Sequence, residues 1–87
     1  MDAATLRERV SRKLIEDIED VQYPSVTMMD RVEAILSPDA LGDYAEALLE
    51  KIEGTRFPSI SMLNRLDGLI AQLEQAEARS DGARRAA

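Results

Sequence analysis

The chain has 87 residues and contains neither cysteine nor histidine. One small domain is the most it can form, without disulfides, without the usual thiolate or imidazole zinc ligands, and without His- or Cys-based catalysis. Seventeen acidic and 11 basic side chains give a formal charge of −6. Within residues 1–78 the count is 16 acidic against 8 basic, a body that repels phosphate, so nucleic acid is not an expected partner.

Hydrophobic residues make up 45% of the chain and aromatic residues only 3%. Leu, Ile, Val, Met and Ala in such excess favour helices packed on helices. No run approaches 18 apolar residues, so no membrane span is expected. The opening "MDAATLRERV" has no apolar stretch of signal-peptide type. These features lead to the expectation of a soluble, cytoplasmic protein.

Thr5-Leu6-Arg7-Glu8 has the T-x-x-E form of a capping box and marks a helix start. Leu6, Val10, Leu14, Ile18 and Val21 then recur at helical spacing, with Ile15 widening the stripe. Pro24 disfavours helical backbone at Tyr23, so the first helix should end near Val21. Ser25 or Thr27 caps a second helix with apolar positions Val26, Met29, Val32, Ile35 and Leu36. Ser37-Pro38-Asp39 stops it and opens the third, with Ser37 as cap, Pro38 in the first turn and Asp39 at the positive end.

The third helix carries Leu41, Tyr44, Ala45, Leu48, Leu49 and Ile52, and Gly54 is its stop. After Phe57-Pro58-Ser59 a fourth helix carries Ile60, Met62, Leu63, Leu66, Leu69, Ile70 and Leu73 and reaches about Ala78. Residues 79–87 have no apolar side chain larger than alanine, which predicts a disordered tail.

Residues 14–36 align with 48–70 without a gap, and eight of the 23 positions are identical: Leu14/Leu48, Glu16/Glu50, Ile18/Ile52, Glu19/Glu53, Pro24/Pro58, Ser25/Ser59, Met28/Met62 and Arg31/Arg65. Each half reads as helix, aromatic-Pro-Ser turn, helix. The 34-residue period is that of helix-hairpin repeats such as the tetratricopeptide family. That family's Trp, Gly, Tyr and Ala signature is missing, so no family is assigned. The expected fold is all-α: two tandem helix-turn-helix hairpins, about 5–37 and 39–76, packed face to face about a pseudo-twofold axis. They form one four-helix domain over 1–78.

Four features bear on function. In the aromatic-Pro-Ser corners, Tyr23 and Phe57 either pack over their own hairpins and fix the bends, the reading that repetition favours, or stand out as partner anchors. Glu16, Asp17, Glu19 and Asp20 form an acidic cluster. It is a solvated face or a patch for a basic protein, and its place at a helix C-terminus is electrostatically unfavourable. Glu16 with Arg31 and Glu50 with Arg65 are expected to be ion pairs within each hairpin.

On the fourth helix, Met62, Leu66, Leu69, Leu73 and Ala76 have the spacing of a coiled-coil seam, flanked by Leu63 and Ile70. Leu66, Leu69, Ile70 and Leu73 are therefore candidate partner contacts. Leu73→Asp is the substitution expected to abolish association while leaving the fold intact.

No glycine-rich phosphate loop or calcium-loop spacing is present in the sequence. No catalytic residue, cofactor or metal is expected. The sequence points to a small acidic interaction module, non-catalytic, that associates with itself or serves as an adaptor or accessory subunit of a larger assembly. The alternative is an acidic nucleic-acid mimic that inhibits a DNA- or RNA-binding protein.

Overall fold

The computed structural model describes the backbone of residues 1–86 and the side chains of residues 1–79. All regular structure among the described residues is helical: α1 (Ala3–Asp20), α2 (Val26–Ile35), a 3₁₀ turn (Pro38–Ala40), α3 (Leu41–Glu53) and α4 (Ile60–Ala86). α4 passes the stop expected near Ala78. The backbone of the tail that was expected to be disordered is thus helical to Ala86. Alanine and arginine are good helix formers, and the helix needs no apolar face there to continue. The tail's side chains from Ser80 onward lie outside the described residues.

Side chains on either side of each turn set the helix ends. Asp2, not Thr5, caps α1: its carboxylate accepts from the Thr5 amide at 2.8 Å. An aspartate three residues before Thr5 satisfies the first-turn amides one turn earlier than the T-x-x-E pattern predicts. Ser25 caps α2, accepting from the Met28 amide at 3.1 Å, and Ser59 accepts likewise from Met62 at 3.4 Å. The preceding helices close alike, with Val21 donating to the Ile18 carbonyl and Thr55 to that of Ile52.

Ser37 does not cap with its side chain. Its hydroxyl donates to Glu8 at 2.5 Å, while its amide donates to the hydroxyl of Ser11 at 3.3 Å. Ser11 in turn donates to the Ile35 carbonyl at 3.2 Å, so this fully buried hydroxyl has both donor and acceptor satisfied. It also answers one of the orphan carbonyls at the end of α2.

α1 packs on α2 and α3, and α3 packs on α4. The cross-links between α1 and α3 rise together along both helices: Arg12 pairs with Asp43, and farther along Lys51 donates to the Glu19 carbonyl at 2.6 Å. α1 and α3 therefore lie parallel. α4 runs beside α2 in the same sense, because Arg65 meets Asp30 and Glu33 while Leu36 and Pro38 share a cleft with Leu69 and Ala76. Equivalent positions of the two halves, Arg12 with Glu46 and Glu16 with Glu50, line one groove between α1 and α3.

The core is Ile15, Ile18, Met29, Val32, Ala40, Leu41, Tyr44, Ala47, Leu48, Met62 and Leu69. One polar group enters it. Tyr44 has no exposed surface, and its hydroxyl donates to Glu33 at 2.6 Å. Glu33 also accepts from Arg65 at 2.5 Å, and Arg65 reaches Asp30 at 2.7 Å. Burial and the neighbouring Glu33 carboxylate raise the Tyr44 pKa, so the phenol stays protonated and donating. Arg65 thus pairs with α2, not with Glu50 as expected. Neither Glu16 nor Arg31 is in an ion pair among the described residues.

The resulting molecule is thin. Its Cα extents are 46 × 32 × 16 Å and its radius of gyration is 14.2 Å, against about 12 Å for a compact chain of this length. Helix α4 alone is about 40 Å long, about twice α3.

The Ser37 hydroxyl, then Arg12, hold the Glu8 carboxyl below its usual value of 4.5. A lowered folded-state pKa means that ionised Glu8 stabilises the fold above that value and stops doing so as pH falls through the folded pKa. The urea midpoint should therefore fall as pH drops below 4.5. Glu8→Gln should flatten that part of the profile. An unchanged acid limb in the variant would contradict the assignment.

Candidate protein-interaction surfaces

Each aromatic-Pro-Ser corner carries the same local design. Proline ends the extended link, serine caps the next helix, and the residue after serine begins it. The rings do not pack over the bends. Tyr23 is 67% exposed and Phe57 82% exposed. The residues after the two serines, Val26 and Ile60, are 54% and 75% exposed. In the first corner Pro24 takes the buried place instead of the ring. Arg56 lies 5.8 Å from the centroid of Phe57, over a face still open to solvent.

Both corners sit at one end of the molecule. Gln22 and Tyr23 line a shallow cleft with Glu50, Lys51, Gly54 and Thr55, which brings the first corner against the residues that lead into the second. The exposed set is thus an aromatic and a β-branched residue, presented twice along one edge. Val26 and Ile60 were absent from the sequence-derived candidates. Their signal was visible as a matched aliphatic pair immediately after the two capping serines.

The acidic cluster is divided. Asp17 pairs with Lys13 at 3.1 Å, one turn away on α1. Glu16 and Glu19 face Glu46 and Glu50 across a groove of about 400 Å³ between α1 and α3. Asp20 is exposed outside it. Among the described residues no acidic group is arranged to hold a metal ion. Lys51 places its cation on the Glu19 carbonyl, at the negative end of α1. That contact offsets the charge placement that is unfavourable in the sequence alone.

The α4 candidates separate by depth. Leu69 is 2% exposed and part of the core, Leu66 and Leu73 pack against it, and Ile70 is 52% exposed. Of the four, only Ile70 is freely available to a partner. Leu73→Asp would place a carboxylate against the core and cannot separate association from folding. Leu63, at 39%, and Leu49, at 45%, join Ile70 as exposed apolar residues on α3 and α4. Among the described residues no helix is long and apolar enough to cross a membrane.

No protein-family model, curated protein or solved structure matches this chain.

Leu69 and Ile70 are chain neighbours on opposite sides of the burial boundary, and their truncation tests the assignment. Leu69→Ala should lower unfolding free energy by about 2–4 kcal/mol. Ile70→Ala should change it by less than about 0.5 kcal/mol. Chemical denaturation of both variants measures this, and equal losses would contradict the placement of α4.

Proposed function

We propose that the chain is a small non-catalytic protein-interaction module. It is built from two tandem helical hairpins laid side by side, about residues 5–37 and 39–76. It works by burying apolar helix surface against protein, as a self-associating or adaptor subunit of a larger assembly. The observation that carries this reading is the pair of corners. Each spends an aromatic and a β-branched side chain on solvent, in a chain with only three aromatic residues. Aromatic anchors concentrate binding energy when they enter a partner's pocket. Two turns that only needed to bend the chain would bury those rings.

Paired caps support the tandem organisation. Ser25 and Ser59 accept from Met28 and Met62, and the closing bonds at Val21 and Thr55 lie the same 34 positions apart.

A second reading keeps one supporting observation. Glu16, Glu19, Glu46 and Glu50 gather in one groove, as a mimic of a phosphate row requires. Binding of that kind would weaken steeply between low and physiological ionic strength and would be indifferent to the corners.

Affinity capture from native, nuclease-treated lysate distinguishes the two. Phe57→Ser with Ile60→Ser should leave the melting temperature unchanged and reduce the yield of retained protein about tenfold or more. Capture that survives this double substitution but disappears at physiological salt would overturn the corner reading in favour of the mimic.

A further inference from the structure

α2 and α4 run side by side and are joined across the gap between them by Arg65, which reaches Asp30 and Glu33. On either side of that joint the gap is open. One cleft, of about 270 Å³, has Leu36, Leu41 and Leu69 among its walls and extends along α4 to Arg79. The other, wider cleft is lined by Ile60, Ser61, Asn64 and Gly68. Glu33 and Gln72 belong to both, so the two form one groove along α4 from Ile60 to Arg79. At 1.5 Å per residue that groove is about 28 Å long.

The groove side of α4 differs from its other side. Ser61, Asn64, Gly68, Gln72 and Gln75 line the groove, whereas Asp67, Glu74 and Glu77 line neither cleft. The acids form the charged surface expected of a solvated helix face. The groove side is uncharged apart from Arg65 and Arg79, in a chain of which 32% is charged. Asn64, Gln72 and Gln75 are exposed, and among the described residues no hydrogen bond uses their carboxamides. Gly68 has no internal reason to lack a side chain, because a Cβ there would meet nothing within 4 Å. Glycine in a helix interior costs about 1 kcal/mol against alanine, and the room it leaves here is in the groove.

These features fit main chain better than they fit a helix or an apolar surface. A carboxamide offers both an acceptor and donors, which are the groups that an extended peptide unit needs. A helix laid in the groove would already have bonded those groups internally. Glycine admits an approaching backbone more closely than any other residue. Arg79, in no ion pair among the described residues, puts a positive charge at one end.

We propose that the groove between α2 and α4 binds an extended peptide segment of a partner protein. Its main chain bonds to Asn64, Gln72 and Gln75 and passes over Gly68. One apolar side chain sits among Leu36, Leu41 and Leu69, and a carboxylate meets Arg79. About eight residues of extended chain span the groove. This inference rests on the interaction-module reading and gives it a second site. The groove opens beside Ile60, but Tyr23 and Phe57 line neither cleft.

A phage-displayed library of linear peptides, about twelve residues long to exceed the groove, is selected on the immobilised full-length chain. The best peptide is then titrated into wild type, Gly68→Gln, and Tyr23→Ser with Phe57→Ser. Gly68→Gln puts a side chain in the groove without meeting the protein's own atoms, so its melting temperature should equal or exceed that of wild type. Peptide affinity should fall about tenfold or more in that variant and hold in the corner variant. Gly68→Ala should shift both quantities in the same directions, stability upward and affinity downward. In wild type the side-chain NH₂ resonances of Asn64, Gln72 and Gln75 should move on binding. A selection that enriches no peptide, or a peptide indifferent to Gly68→Gln, would overturn the proposal. A peptide lost in the corner variant but kept by Gly68→Gln would overturn the groove and leave the module reading standing.

Discussion

Tyr44 has no exposed surface, and its hydroxyl must still find an acceptor. It finds Glu33, which also receives Arg65, so one polar contact joins α3, α2 and α4. The apolar residues around it would tolerate a slip of one helical turn, since Leu, Ile and Met replace one another at modest cost. A slipped Tyr44 hydroxyl would be buried without a partner, at about 1–3 kcal/mol. The Tyr44–Glu33–Arg65 contact thus opposes sliding of the second half of the chain along the first. The parallel course of α1 beside α3 and both corners at one end go with that register.

The thinness of the molecule has the same origin. Two helix layers about 8–10 Å apart account for a thickness of 16 Å. Leu6, Val10, Leu49, Leu63 and Ile70 remain exposed on this thin body.

Local structure was legible in the sequence because local chemistry decides it. The Ser25 cap, the stop after Asp20 and the stop at Gly54 each depend on residues within one turn. The start of α1 was misplaced because two capping residues stand one turn apart, and Asp2 starts the helix earlier by accepting from the Thr5 amide. The arrangement of the helices was not legible. Helical spacing shows that Leu69 and Ile70 are both apolar, but not which of them meets another helix. The ion pairs failed for the same reason: Glu50 and Asp30 are equally plausible partners for Arg65 until the course of α4 is known. The corner rings were misjudged because an aromatic beside a proline reads as turn packing, and only the tertiary setting leaves it in solvent.

The parallel course of α1 and α3 is the claim on which the corner edge rests. The chain has no cysteine, so a nitroxide on a single Gln22→Cys substitution would report it without interference. Paramagnetic broadening of amide signals along α3 should be strongest at Gly54 and Thr55 and fall steadily toward Leu41. Broadening strongest at Leu41 and weakest at Gly54 would show the helices antiparallel and contradict the account.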